Sequence, residues 1–575
     1  MKRISVIFLS LILTAGTAAA PVSYVYGYGE NGATQQTESY TESTDTQQPS
    51  DGSREDQTDG TSAEENTDST DTYQYGEDDT EKDPSVKDTS WFDYNKPKKS
   101  YTISTEGQLI GLASLVNEEQ TDSWKPERTE TFKGVTFTLT DDIELTKEWT
   151  PAGSDKATNF AGIFDGNGHT ISGLRITENA QNTGLFGYLV GEVRNLTVEG
   201  KIKISSGSCG AIAGILTEGS KVTGCTSKVT ISAGSKTGGI AGYSNAGTIE
   251  KCTNLGSVSG TFKIGGIVGE NWGGSVTESR NMGEITSSER GVATYGTGGV
   301  AGRSVSASAI LEDCYNAGTI NSNTEATGGV AGYVNASGST VKNCYNTGSI
   351  NINSDKKVDK KTASKSASKN SAKNAKQNNN KDNDFVASSA GGIAGIAGVK
   401  GVKIYNCYNT AEIKNADICG GVIGSYLNED DDILPGRFIR NNYYVHEYFK
   451  TGTGYCDKEG TEETAKLSTS VSSYSLINMS SALGSAYMKD PSNLYGNNGY
   501  PVLSWQQPIS DDERTYLSDV SRDLQKKLDK YMLQSSKKHV YGQTVVDIFN
   551  PENFTSSALV KYIEAKDKKD NQKEE

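Results

Sequence analysis

Carboxylates, histidines, thiols and tyrosines are the side chains through which this chain could act, and their spacing limits the chemistry open to them. Glycoside hydrolysis needs two carboxyl groups roughly 5–10 Å apart. The acids in the middle of the chain, Glu250, Glu278, Glu284, Glu312, Asp313 and Glu412, are scattered. Of these, Glu250, Glu278 and Asp313 are placed to share a face in neighbouring structural units, where the simplest reading is of solvated turn residues, and no catalytic residue is assigned. His446-Glu447 is followed by Tyr448, Phe449 and Lys450, so a His-Glu-x-x-His zinc helix is not encoded. With three histidines and no Cys-x-x-Cys, neither a metal site nor a cofactor is expected. His169 sits in an Asp-Gly-Asn-Gly-His turn and reads as structural. The repeats described below hold no Gly-x-Ser-x-Gly elbow and no phosphate-cradling loop.

Tyrosines offer more. Tyr315, Tyr345 and Tyr408 occupy the same place in three successive units, with Tyr443 or Tyr444 near the next. With outward phenol faces they would form a candidate binding surface on which sugar rings or a protein partner stack. The competing reading packs them on one another at a corner. Tyr188, Tyr243 and Tyr333 form a second, sparser set.

The elements that position these residues follow from a Gly-Gly-x-x-Gly signature. It recurs as Gly238-Gly239-Ile240-Ala241-Gly242, Gly265-Gly266-Ile267-Val268-Gly269, Gly298-Gly299-Val300-Ala301-Gly302, Gly328-Gly329-Val330-Ala331-Gly332, Gly391-Gly392-Ile393-Ala394-Gly395 and Gly420-Gly421-Val422-Ile423-Gly424. Gly210-Ala211-Ile212-Ala213-Gly214 and Gly184-Leu185-Phe186-Gly187 precede these as variants. The closing glycines are 27 to 33 residues apart, except for one step of 63 that contains a Lys/Asn/Ser-rich insert over 354–384. Single β-branched residues flanked by Ser, Thr, Lys or Glu suit half-buried strands, and long 3.6-period apolar runs are missing. The spacing predicts an all-β chain: a right-handed parallel β-helix with three short strands per coil, a disordered N-terminal spacer and a short C-terminal helical segment. Eight coils stacked at about 4.8 Å give a rod section of about 40 Å.

Stacking turns repeated positions into ladders. Cys225, Cys252, Cys314, Cys344 and Cys407 form one, with Ser279 in the gap; one shared inward position without paired spacing points to buried free thiols. The pairing state of Cys209 and Cys419, which stand at equivalent positions before their glycines, and of the isolated Cys456 is left open. Asn254, Asn281, Asn316, Asn346 and Asn409 form a second ladder at a turn where Asn tolerates left-handed backbone and stacked amides bond between coils. Gly256, Gly283, Gly318 and Gly348 complete that bend.

Lys2 and Arg3, an apolar run from Ile4 to Leu13 and small residues to Ala20 read as an export signal over 1–20. Residues 21–95 are rich in Ser, Thr, Asp and Glu and read as a disordered acidic spacer. The repeat rod is assigned to 96–505 and a helical segment with a charged tail to 506–575. Thr105-Glu106-Gly107-Gln108 resembles a capping box leading into an end-capping helix. A second helix is expected after Ser510-Asp511-Asp512-Glu513. With 56 basic against 72 acidic residues the net charge is −16, which disfavours nucleic acid as a partner. No sortase signal is read at the C-terminus, and no transmembrane domain is expected in the mature chain.

The stretch Phe160-Ala161-Gly162-Ile163-Phe164-Asp165-Gly166-Asn167-Gly168-His169-Thr170-Ile171-Ser172-Gly173-Leu174, with the Asn-Cys-Tyr-Asn-Thr-Gly units and the closing Asn498-Gly499-Tyr500-Pro501-Val502-Leu503, resembles bacterial GLUG-motif surface proteins over about residues 100–505. The resemblance implies a secreted or surface-displayed, adhesin-like β-helix and no particular activity. Some such proteins carry an IgA-cleaving zinc peptidase, whose metal motif this sequence lacks. The expectation is therefore an exported, monomeric, non-catalytic β-helix that binds glycans, a cell-wall polymer or a surface protein. The alternatives are a polysaccharide lyase or hydrolase built on a β-helix and a structural spacer of the cell envelope.

Overall fold

The computed structural model describes residues 85–508, apart from 94, 119–131, 289–293, 354–386, 399–400, 428–437, 457–466, 491–494 and 496. The export signal, nearly all of the acidic spacer, the 354–384 insert and the helix expected after Ser510 lie outside the described residues. The chain is a parallel β-solenoid of about nine turns. Among the described residues the strands of the solenoid form four parallel sheets of 11, 8, 9 and 16 strands.

One coil shows how the sequence is used. Ser235–Gly238 lies on the first face, Ala241–Asn245 on the second and Thr248–Glu250 on the third, while Thr253–Asn254 and Val258–Gly260 share the fourth. Phe262–Gly265 then returns to the first face one coil further on. The expected three strands per coil are thus corrected to five on four faces. Early coils carry a continuous fourth-face strand, such as Thr226–Ser232. Later coils split it where an Asn replaces Ser227, because the Asn254 amide donates to the Gly256 carbonyl and draws the chain into a bend.

Inward positions stack coil on coil. Val222, Ile249, Val276, Leu311, Val341 and Ile404 pair in succession on the third face, all fully buried. Each contributes roughly 1.5–3 kcal/mol of transfer free energy before chain entropy is counted. The Gly-Gly pairs have a packing cause. A Cβ on Gly238 would lie 2.1 Å from the Ala241 carbonyl oxygen, and one on Gly239 would lie 2.3 Å from Cγ of Asn254. The second glycine therefore leaves room for the asparagine stack inside the rod.

That stack runs unbroken. Asn254 donates to Asn281, Asn281 to Asn316 and Asn316 to Asn346, each at 2.8 Å, and Asn346 donates to Asn409 at 2.9 Å. The left-handed backbone expected at these asparagines belongs instead to the residues before the cysteine ladder: Asn195, Gly224, Lys251, Glu278, Asp313, Asn343, Asn406 and Asn441, with φ of +46° to +63°. Gly256, Gly283, Gly318 and Gly348 are not left-handed. They are needed because a Cβ there would come within about 2 Å of a carbonyl in the coil below. The five ladder cysteines are buried free thiols, as is Cys209; Cys456 is buried and Cys419 half-buried. Burial raises the Cys225, Cys314 and Cys344 thiols well above the ordinary range and pushes Cys419 up to about 12, so thiolate chemistry is suppressed.

The N-terminal end is covered as expected. The helix Glu106–Asn117 is capped by Thr105, whose side chain accepts from the Gln108 amide, and Leu109, Leu112, Ala113 and Val116 join the main core. Glu106, nearly buried, accepts from the Thr146 and Lys147 amides and fixes the helix to the first coil. The spacer boundary at residue 95 is set too late: Trp91 and Phe92 pack on the core, and the Asp88 amide donates to the Gly107 carbonyl. At the other end, the described residues between Ser473 and Pro508 turn back along the rod. They hold the short helices Ser473–Leu476 and Ser480–Leu483 and the antiparallel pair Tyr487–Met488 with Val502–Leu503.

Candidate functional site

The tyrosines expected to form a surface strip do not face solvent. Tyr315, Tyr345 and Tyr408 are 4%, 1% and 0% exposed, and their rings stack in parallel at 4.7 and 4.9 Å. The C-terminal strap covers them. Leu476, Leu483, Tyr487 and Leu503 pack on the rings, Tyr345 donates to the Gln506 side chain at 2.9 Å, Tyr408 donates to the Pro501 carbonyl, and the Trp505 indole donates to the Asp313 carbonyl. This surface is therefore corrected to an internal docking seam. Tyr443 continues the tyrosine column, whereas Tyr444 falls in the asparagine column.

The carboxylates of the third face are mostly engaged. Glu250 pairs with Lys221 and Lys251 at 2.8 Å each, Lys251 reaches Glu278 at 3.5 Å, and Glu312 pairs with Lys342. These contacts hold the Glu250 carboxyl below its ordinary value. Burial, with Glu312 and Glu278 adding like charge, raises that of Asp313, although Asn343 donates to it at 2.8 Å. Asn406 in turn donates to Asn343, and Asn441 to Asn406, so Asp313 ends an outer amide ladder. His169 contacts Asp142, 27 residues earlier, at 3.1 Å. Among the described residues no group of three or more His, Cys, Asp or Glu side chains is placed to hold a metal ion, and no helix is long and apolar enough to cross a membrane.

A concentrated, mostly buried polar cluster on the second face was not legible in the sequence. On the second face the residue after each closing glycine falls in one column: Tyr188, Ile215, Tyr243, Glu270, Arg303, Tyr333, Ile396, Ser425 and Tyr455. The second tyrosine set is thus gathered onto one line. Between Tyr243 and Tyr333 stand Glu270 and Arg303, and Lys236 and Lys263 reach them from the first face. Glu270 accepts from Lys263 at 2.6 Å and from Arg303 at 2.7 Å, with Lys236 3.8 Å away. Lys236 lies 4.4 Å from the centre of the Tyr243 ring, and the Arg303 guanidinium 5.7 Å from that of Tyr333. Both lysines have left-handed backbone, with φ of +54° and +53°, a conformation that costs a non-glycine residue on the order of 1 kcal/mol. The signal that could have revealed the cluster is positional: Glu270 follows Gly269 and Arg303 follows Gly302, just as Tyr243 follows Gly242.

Burial disfavours the charge on Glu270, but Lys263 and Arg303 outweigh it and hold the carboxyl below its ordinary value. Burial also pushes the Lys263 amine down to about 8, against the pull of Glu270 and with the help of Arg303. The unfolded chain takes up this proton below about 10.5 and the folded one only below about 8, so between these values the unfolded state binds more protons and stability rises with pH. The gain is complete above the unfolded value and is lost as pH falls through the folded one. Urea unfolding at pH 7.5 and 9.5 should show wild type gaining on the order of 2 kcal/mol relative to Lys263→Met. The same pH dependence in both proteins would refute the depressed lysine.

No family model matches the chain, and no curated protein matches it. One solved structure that does is the crystal structure of a "putative immunoglobulin A1 protease" from Bacteroides ovatus, at 18% identity and a TM-score of 0.36, covering 71% of this chain and 93% of that one. At that identity and score it speaks for neither activity nor substrate.

Proposed function

We propose that this is an exported, non-catalytic β-solenoid whose second face binds a glycan on the cell surface or in the cell wall. The observation that carries the reading is the column beginning at Tyr188 and running through Tyr243 to the Glu270–Arg303 cluster. Tyr188, Ile215, Tyr243 and, two columns over, Trp272 are half-buried, leaving parts of aromatic and aliphatic side chains at the surface. Tyr188 and Tyr243 are two coils apart, about 10 Å at the strand spacing, which suits alternate rings of an extended polymer lying along the rod. Aromatic faces bind the apolar faces of sugars while polar neighbours meet the hydroxyls. The pairing of Glu250, Glu278 and Glu312 with lysines supports a structural role for these carboxylates. The resemblance to GLUG-motif surface proteins and the apolar run behind Lys2 and Arg3 support export.

The test is a glycan and cell-wall binding array with the purified chain, alongside Tyr188→Ala and Tyr243→Ala. Binding should fall at least tenfold in each variant with the melting temperature nearly unchanged. Retention of no glycan by the folded protein would overturn the reading in favour of a structural spacer.

A further inference from the structure

The corner formed by Lys236, Lys263 and Arg303 carries more positive charge than its own carboxylate can balance. Among the described residues three cations face the single Glu270, and the side chains of Lys263, Glu270 and Arg303 are 6%, 3% and 5% exposed. An uncompensated charge in such surroundings is costly, and a second anion offsets it. Arg303 also leaves a donor unused: its Nη1 binds Glu270, while its Nε is buried and has no hydrogen-bond partner among the described residues. Leaving a buried donor unsatisfied costs about 1–3 kcal/mol, and more for a charged group. The Nε edge of a guanidinium is one that a carboxylate or sulfate takes in a two-point contact. Lys236 links this corner to the outside, because its side chain is 34% exposed and it lies over the half-buried Tyr243 ring.

We propose that Lys236, Lys263 and Arg303 seat the anionic group, carboxylate or sulfate ester, of an acidic glycan whose neighbouring ring lies on Tyr243. The inference rests on the glycan-binding reading above and narrows it to charged polymers. The chain carries −16 overall, so this local cluster holds the polyanion without long-range attraction, which salt screens beyond about 8 Å in any case.

Isothermal titration of the full chain at physiological salt tests the proposal with three oligomers of equal length: an oligogalacturonate, a sulfated galactan and an uncharged galactan. The variants are Lys236→Met, which leaves the Lys263–Glu270–Arg303 contacts in place, and Arg303→Lys, which keeps the charge and loses the Nε edge. At least one charged oligomer should bind, and which one does separates carboxylate from sulfate. Its affinity should drop at least tenfold in both variants, and the uncharged oligomer should bind more weakly by a similar factor. Should Arg303→Lys fail to fold, as judged by circular dichroism, Lys236→Met decides. Equal binding of charged and uncharged oligomers, or charged-oligomer affinity unchanged by Lys236→Met, would overturn the anion seat and leave glycan binding standing. No binding of any oligomer, with a blank array, removes both.

Discussion

Gly329→Val is expected to cost about 4 kcal/mol or more, the largest effect of any single substitution considered for this rod. A Cβ at this position would lie 2.1 Å from the Gly392 carbonyl oxygen in the next coil and 2.4 Å from Cγ of Asn346. Neither contact can relax cheaply. The carbonyl is fixed in the packed wall of the next coil, and the asparagine is held by its bonds to Gly348, Asn316 and Asn409. Moving the coils apart would break the ladder, and moving the amide would strand buried polar groups. Gly219→Asn is the control. Its φ is +80° with nothing within 4 Å of a Cβ, and Asn tolerates that conformation, so the loss should stay under about 1 kcal/mol. Thermal and urea unfolding distinguish the two. A Gly329→Val protein melting within a few degrees of wild type would refute the role given to the second glycine.

Tyr345→Ala should cost about 3–5 kcal/mol, the range for deleting a large buried aromatic. The ring lies between those of Tyr315 and Tyr408, and its hydroxyl ties the rod to Gln506 of the strap. The loss is both a cavity in the seam and two broken aromatic pairs, each worth roughly 0.5–1.5 kcal/mol beyond burial. Tyr345→Phe retains the stack and loses only the hydroxyl bond, for about 1 kcal/mol, because Gln506 still accepts from the Leu503 amide. Limited proteolysis provides an independent check: the alanine variant should be cut within 473–508 much faster than wild type, and the phenylalanine variant should not. Equal protection of all three would mean that the seam does not hold the strap. Alanine replacement of Tyr315, Tyr345 and Tyr408 together would therefore report on folding and not on ligand binding.

The parts of this architecture that the repeats dictate were legible. Gly239, Gly266, Gly299, Gly329 and Gly392 mark the coils because each faces an asparagine of the inner ladder, so spacing in sequence is spacing in space. Helix capping at Thr105 was legible for a local reason: its bonds join residues three or four apart. What was not legible depended on distant or cross-coil partners. That Tyr345 is covered and not exposed depends on the strap bearing Gln506, 161 residues away. Left-handed backbone at Lys251 or Asp313, where asparagine would be the expected occupant, is set by the corner geometry, which overrides residue preference. Glu270 and Arg303 each look like an isolated charge in its own repeat. They become a cluster only when the residue after every closing glycine is read down the column instead of along the chain.

The strap also bears on the order in which the molecule assembles. Coil-to-coil bonds join residues about one repeat apart, as in the 27 residues between Asn254 and Asn281, so each new coil can stack as soon as it is made. The Trp505 indole and its acceptor at Asp313 are separated by 192 residues. That contact has no template until the coils bearing Tyr315, Tyr345 and Tyr408 are already aligned, and its loop-closure cost falls steeply once they are. During synthesis the strap is the last described segment to emerge, so it docks on a finished surface and latches several coils at once. Unfolding from this end must run the sequence backwards: the latch opens first, and only then can the coils beneath it peel away.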